Sequence, residues 1–281
     1  MIIPLTAWLE PPRPIALITD FGLADGYVGA LKGLIATVNP AIPTIDVTHN
    51  LPPQDLWAAR FVVANVVGYF PLGTVFLAVV DPGVGSDRRS VAVAFDRGWL
   101  VGPDNGLWSG VLSQFSVRSA VELTRSDFWR VPNPSATFHG RDIFAPVAAY
   151  LANGVNLEEL GDPIDPASLV QLSLPPLVER SLDGDGDAIP AIEGVVQHID
   201  HFGNAITTIP ADRVLGRPWH VRIGDRPIKA AHTYSHVPWG DLVAIVGSHN
   251  WVEVACRGGS AADVLQLQRG DRVAVEWLPT A

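Results

Sequence analysis

The first half of the chain alternates short apolar runs with longer stretches at helical spacing, and few folds accept that order. Ile15-Ala16-Leu17-Ile18-Thr19 is a buried-strand pattern that ends at Asp20. Over residues 27–38, Val28, Leu31, Leu34, Ile35 and Val38 recur on one helical face, and Asn39-Pro40 stops the run. A second strand follows at 44–48, a second helix at 56–70 before Pro71, and a third strand at 74–80 ending at Asp81. Residues 90–95 and 99–102 read as a strand pair, and 142–153 as a further helix closed by Gly154. This order predicts an α/β domain, a central sheet flanked by helices. Ligands of such sheets bind beyond the carboxyl ends of the strands, where Asp20 and Asp81 both fall.

The pattern changes after the third quarter of this domain. Leu174-Pro175-Pro176 and the Asp/Gly run 183–187 read as connecting chain, and from residue 193 onward only short strands with turns recur: 193–199, 205–209, 219–223, 242–246, 251–255 and 272–276. A possible helical turn at 261–265 interrupts them. The expected division is an α/β domain over 1–178, a linker over 179–190 and an all-β, barrel-like C-terminal domain over 191–281. With 48% hydrophobic residues in 281, both parts have material for a core. The net charge of −10 repels phosphate backbones and anionic lipid, so nucleic acid and membrane surfaces are excluded as expected partners. Met1 to Pro14 lacks a cationic start followed by an apolar run, and no apolar stretch approaches a membrane span, so the expectation is a cytoplasmic protein. Cys256, the single cysteine, sits in an alternating strand pattern and reads as a small buried hydrophobe.

Several superficial motifs fail on inspection. Asp183 to Asp187 begins like a calcium loop, yet Ala188 and Gly194 stand where that loop needs glycine and glutamate. His232 and His236 have metal-ligand spacing without a glutamate between them, and Pro238 follows. No phosphate-binding glycine loop follows the first strand. No metal and no cofactor is expected. Three segments carry more chemistry. Asp20-Phe21-Gly22-Leu23-Ala24-Asp25 puts two carboxylates on one strand-to-helix loop, where a carboxylate can accept both hydroxyls of a ribose. Asp81-Pro82-Gly83-Val84-Gly85 delivers a carboxylate into a turn, and Arg88, seven residues on, can return to it. Thr137-Phe138-His139-Gly140-Arg141-Asp142 opens the next helix.

With Thr19-Asp20-Phe21-Gly22, Asp81-Pro82-Gly83-Val84-Gly85, Pro103-Asp104-Asn105-Gly106, residues 137–142 and Asp200-His201-Phe202-Gly203-Asn204 in this order, the chain resembles the S-adenosylmethionine (SAM) hydroxide adenosyltransferase family, kin of the halide-using fluorinase and chlorinase enzymes. The resemblance implies an α/β domain followed by a β-barrel, and a homotrimer with active sites at subunit interfaces. It implies a SAM hydrolase in which water or hydroxide attacks the ribose 5′ carbon, giving adenosine and L-methionine. The hydroxide-using branch is marked by an Asp-Arg-His set, which falls on Asp81, Arg88 and His139. By the same resemblance Asp20 holds the ribose hydroxyls, Asp200 meets the methionine ammonium group with Asp25 as a second candidate, Asn204 meets the adenine edge beside Phe202, Phe138 is a further substrate-binding residue, and Ser248 lies near the methionine carboxylate. The chain departs from its halide-using kin at three positions. His249 stands for an arginine, Tyr27 for a small hydroxyl residue and Gln54 for a tryptophan. Either Asp81 or His139 serves as base on these grounds, since Arg88 lowers the basicity of Asp81. Alternatives are a chlorinase, a SAM or adenosine sensor without turnover, and a methyltransferase; the retained Asp-Arg-His set disfavours the first, and the missing glycine loop with the all-β second half disfavours the last.

Overall fold

The computed structural model describes residues 11–183 and 188–278. In chain order its first unit runs β1 (Ile15–Thr19), α1 (Tyr27–Val38), β2 (Thr44–Thr48), α2 (Leu56–Val66), β3 (Thr74–Val79), β4 (Ser90–Phe95), β5 (Gly98–Pro103), α3 (Ser109–Leu112), β6 (Val117–Glu122), α4 (Ala145–Ala152) and β7 (Asp162–Ile164). Every residue of β1 and β3 is buried, because helices cover both faces of their sheet. Side chains alternate between the faces of a strand. Ile15, Leu17, Val75, Leu77 and Val79 therefore join Leu31 and Ile35 of α1 and Val147, Ala148 and Leu151 of α4 in one core layer. Ala16, Ile18, Phe76 and Ala78 join Ala58, Ala59 and Val63 of α2 in the other. Each large aliphatic side chain so buried contributes roughly 1.5–3 kcal/mol.

The sheet order is β2-β1-β3-β5-β4-β6-β7. The first four strands are mutually parallel and the remaining pairings antiparallel. From β1 the chain passes to β2 on one side and then to β3 on the other, so the connections diverge between β1 and β3. That divergence opens a crevice beyond their carboxyl ends. The strands β6 and β7 escape the sequence pattern, since Arg118 and Ser119 in β6 and Pro163 in β7 break any apolar run. Their place beside β4 makes them strands.

The second unit contains β8 (Val178–Asp183), β9 (Ala188–Ile199), β10 (Ala205–Pro210), β11 (Trp219–Ile223), β12 (Arg226–Lys229), β13 (Leu242–Val246), β14 (Trp251–Cys256), α5 (Ala261–Leu265) and β15 (Arg272–Trp277). They form an antiparallel sheet, β12-β11-β15-β9-β10-β14-β13, with β8 paired to β9. A bridge between Ala230 and Ala244 links the two ends, so the sheet is nearly a closed barrel. Its interior is filled by Ile192, Val196, Ile209, Val221, Val252, Val254, Val273 and Val275. The expected linker over 179–190 needs correction. Val178–Asp183 is a strand in register with β9, and the two compact units meet in sequence between Leu172 and Ser173 rather than after residue 178. The Asp/Gly composition suggested open chain, yet backbone pairing needs no apolar side chain. Residues 184–187, most of the calcium-like run, lie outside the described residues, as do Met1 to Glu10.

One buried carboxylate ties down the loop that leads into α4. Asp142, in a π-helical turn (Gly140–Phe144), accepts from Arg141 Nε at 2.7 Å and Nη2 at 2.9 Å, from Arg130 Nη1 at 3.3 Å and from the Ser135 N–H at 2.8 Å. The Arg141 contact leads in holding its pKa down from 3.8 to about 2. A carboxylate with a depressed folded-state pKa stabilises the fold fully above its unfolded value, and that stabilisation is lost as pH falls through the folded value. Urea midpoints are expected to drop between pH 3.8 and about 2. The substitution Asp142→Asn should lower stability at neutral pH by about 1–2 kcal/mol and flatten this acid slope.

Candidate active site

At the carboxyl end of β3 the chain turns sharply through Asp81-Pro82-Gly83-Val84-Gly85 and comes back toward Asp81 with Arg88. Arg88 Nε lies 2.9 Å from Asp81 Oδ1 and 3.0 Å from Oδ2, and Nη2 donates to Oδ2 as well. Both side chains are over nine-tenths buried, so this ion pair is little screened. Arg88 Nη1 donates to Ser90 Oγ at 2.8 Å, and the guanidinium lies 5.3 Å from the Phe144 ring centre. Its Nη2 also meets His139 Nδ1 at 2.8 Å. A guanidinium has no acceptor, so Nδ1 accepts and the ring hydrogen sits on Nε2. Burial, and then the Arg88 charge, hold the His139 pKa below the usual imidazole value, against the opposing pull of Asp81 and Asp142. His139 is thus a neutral ring with a fixed tautomer.

Close backbone approach makes this meeting possible. Gly85 has φ +78°, and a Cβ there would stand 2.3 Å from the Ala136 carbonyl oxygen. Only glycine lets the 81–89 loop lie against the 135–139 segment that carries His139. Behind the loop, Asn105 Nδ2 donates to the Val80 carbonyl at 2.9 Å, while Asp104 accepts from Arg89 Nε at 2.9 Å and Nη2 at 2.6 Å. The Pro103-Asp104-Asn105-Gly106 block therefore braces both ends of the segment that bears Asp81 and Arg88.

Asp20 lies at the end of β1, across the crevice from β3's end, and its Oδ2 accepts the Gln54 N–H at 2.7 Å. Phe21, Tyr27 and Phe138 pack edge to face with ring centres 5.3–6.0 Å apart. They place Phe138, and so His139, beside the Asp20 loop. Asp25 is exposed, and it does not cap α1, whose N-cap is Gly26 without a side-chain bond.

In the second unit Asp200, Phe202, Asn204 and Ser248 line one pocket of about 410 Å³, together with Tyr234, His249 and Glu253. Asp200 Oδ1 accepts the N–H groups of Phe202 and Asn204, each at 2.9 Å, and Oδ2 accepts from Asn204 Nδ2 at 2.9 Å. Gly203, at φ +79° and with no room for a Cβ beside Ser260, closes this turn. Phe202 is left exposed at its tip, whereas Asn204 is buried. The pocket wall holds a buried carboxylate that sequence reasoning missed. Glu253 accepts from Tyr234 Oη at 2.6 Å and from His249 Nε2 at 2.9 Å, while His249 Nδ1 accepts the Trp251 N–H at 3.2 Å. Burial and then Glu253 push the Tyr234 hydroxyl pKa far up, so it stays a donor. Helical spacing had no way to flag Glu253; it stands on β14, whose neighbours are apolar.

The structure thus brings Asp81, Arg88 and His139 into one contact chain with Ser90, and places Asp20 and Phe138 beside it through the aromatic cluster. It gathers the four expected C-terminal residues around one pocket, and leaves Asp25 exposed on the loop that carries Asp20. Ser90 and the Gln54 N–H were not foreseen. Among the described residues no group of three or more His, Cys, Asp or Glu side chains is arranged to hold a metal ion. Nor is any described helix long and apolar enough to cross a membrane.

Comparison with known proteins accounts for both units. Residues 15–161 match the family model of the SAM hydroxide adenosyltransferase N-terminal domain, and residues 194–274 that of the C-terminal domain. A Salinispora tropica protein named (R)-S-adenosyl-L-methionine hydrolase is 44% identical over 268 residues, covering 95% of this chain and 99% of its own. A protein named Fluorinase from Actinopolyspora mzabensis is 29% identical over 299 residues, covering 94% and 97%. The crystal structure of an uncharacterized conserved protein from Thermotoga maritima superimposes with a TM-score of 0.83 at 34% identity, over 93% of this chain and 99% of that one. The chain belongs to the SAM hydroxide adenosyltransferase family.

Proposed function

We propose that the chain hydrolyses SAM, the R epimer at sulfur included, by in-line attack of water on the ribose 5′ carbon, releasing adenosine and L-methionine. The observation that carries this reading is the buried Asp81–Arg88–His139 chain at the crevice, with the imidazole tautomer set by the guanidinium. Identity of 44% to a protein named as a hydrolase, against 29% to one named Fluorinase, supports water over halide.

The sulfonium makes methionine a good leaving group, so no acid has to protonate sulfur. The enzyme must hold a water about 3–3.5 Å from the 5′ carbon, in line with the carbon–sulfur bond. In this reading His139 Nε2–H donates to one lone pair of that water while Asp81 accepts one of its hydrogens. As the oxygen–carbon bond forms, the carbon–sulfur pair departs with sulfur and the water's proton passes to Asp81. Nδ1 of His139 already takes a hydrogen bond from Arg88, which favours Asp81 over His139 as the proton acceptor. Arg88 orients the Asp81 carboxylate and stabilises hydroxide character in the approaching oxygen.

For the substrate we assign the ribose hydroxyls to Asp20, the adenine edge to Asn204 with Phe202 stacking, the ammonium group to Asp200 and the carboxylate to Ser248; Asp25 is a secondary candidate for the ammonium group. An amide has two donors and an acceptor, so the bond from Asn204 to Asp200 leaves capacity for a base edge. With both His249 nitrogens engaged, Ser248 stands as the carboxylate contact there. We further propose a homotrimer with shared active sites, supported by the exposed Leu23 and Tyr27 beside the Asp20 loop and the exposed Phe202 at the pocket. A cytoplasmic location fits the single, unpaired Cys256.

Reaction in water enriched in heavy oxygen should put the label in the adenosine 5′-hydroxyl, read by mass spectrometry; label-free adenosine, or none, would overturn hydrolysis at that carbon. The substitutions Asp81→Asn and Arg88→Lys are each expected to lower kcat by about 10²–10⁴-fold. Adenosine affinity, measured by calorimetry, should stay within a few-fold in both. The lowered His139 pKa predicts an activity plateau through neutral pH. Turnover should fall only below pH 6.5, as protonation turns Nδ1 from acceptor into a donor facing Arg88. A rate profile whose acid limb lies above pH 6.5 would count against this arrangement.

A further inference from the structure

Asp20 is gripped from outside its own strand. The segment between β2 and α2 holds the loop after β1 at three points. The Thr19 hydroxyl oxygen accepts the Phe21 N–H at 3.2 Å, and the hydroxyl sits 2.8 Å from His49 Nδ1. The Gly22 N–H donates to the His49 carbonyl at 2.7 Å. The Gln54 N–H donates to Asp20 Oδ2 at 2.7 Å. Thr19 and His49 are buried. A carboxylate facing Nε2 favours the ring hydrogen there, which leaves Nδ1 to accept the hydroxyl's hydrogen. His49 Nε2 lies 3.1 Å from Asp46 Oδ1, and Asp46 Oδ2 lies 2.6 Å from Lys32 Nζ on α1. The ring is thus held at Nδ1 and faced by a carboxylate at Nε2.

The third contact is held under strain. Gln54 has φ +66°, a left-handed conformation that costs a residue with a Cβ about 1 kcal/mol or more. It immediately precedes Asp55, whose carboxylate caps α2 by accepting the Trp57 N–H at 3.1 Å and the Ala58 N–H at 3.0 Å. The cap fixes where the Gln54 peptide can point, and it points at Asp20. A surface turn has no stability reason to keep a strained residue there; aiming a donor at a carboxylate supplies one.

We propose that Thr19, His49 and Gln54 are positioning residues that lock the Asp20 carboxylate in the orientation that receives the two ribose hydroxyls, so that they govern affinity for the nucleoside half of the substrate rather than the rate of bond exchange. This rests on the assignment of Asp20 under Proposed function. The hydroxyl-to-imidazole bond sets the path of the loop, and the peptide N–H sets the carboxylate plane.

The test uses the isosteric Thr19→Val, which deletes the hydroxyl alone, together with His49→Ala and His49→Asn. Asparagine places an acceptor oxygen where Nδ1 stands, without the rest of the ring. Adenosine Kd and SAM KM should rise about tenfold in Thr19→Val and His49→Ala, with kcat within about threefold of the parent and recovery of most of the affinity in His49→Asn. In an Asp20→Ala background, Thr19→Val should have no further effect on adenosine Kd, a coupling that a merely structural role would not produce. Unchanged Kd in folded Thr19→Val, or equal losses with and without Asp20, would overturn the inference while leaving hydrolysis intact. A parent chain that binds neither adenosine nor SAM would overturn the functional reading, and this inference with it.

Discussion

The Arg88 guanidinium is the constraint around which the first unit's crevice is arranged. One planar cation meets the Asp81 carboxylate along one edge and His139 Nδ1 beside it, and it is braced by Ser90 and the Phe144 face. Burying such a charge is unfavourable unless its hydrogen bonds are satisfied. Here the partners come from the end of β3, the start of β4 and the segment before α4. The loop geometry follows from that requirement: the close approach at Gly85, the bracing by Asp104 and Asn105, and the anchoring of the 130–142 segment by Asp142 all serve to bring three separate stretches to one guanidinium.

Much of this was legible in the residues. The unbroken apolar runs of β1 and β3 identify strands covered on both faces, and their terminal aspartates fall at the crevice because the sheet diverges between them. The Asp81, Arg88 and His139 set was readable as a family pattern, since its members meet through their side chains. Backbone donors were not readable. The Gln54 N–H reaches Asp20 whatever side chain residue 54 bears, and Asn105 acts on a main-chain carbonyl. Strands whose pairing is made by backbone alone escaped for the same reason: β6, β7 and β8 have few apolar residues to mark them. Glu253 shows the converse, a charged residue in an apolar strand whose partners, Tyr234 and His249, only the barrel brings near.

The two units use carboxylates in opposite ways. In the first, Asp81 meets the Arg88 guanidinium across a buried ion pair. In the second, Asp200 is occupied by the peptide groups of its own turn, so it shapes the loop that presents Phe202 and Asn204. A carboxylate that folds a turn and one paired to a buried guanidinium look alike in sequence. The donors each meets, a distant arginine or the amides of its own turn, tell them apart.

The Tyr234–Glu253–His249 set has a consequence for how the pocket meets a guest. Its donors and acceptor pair with one another before any ligand arrives, so a guest meets polar groups that are already engaged. A molecule entering there reorders few side chains. Such a wall behaves as a mould rather than a glove: it selects by shape, and an ill-fitting guest gains nothing from local adjustment.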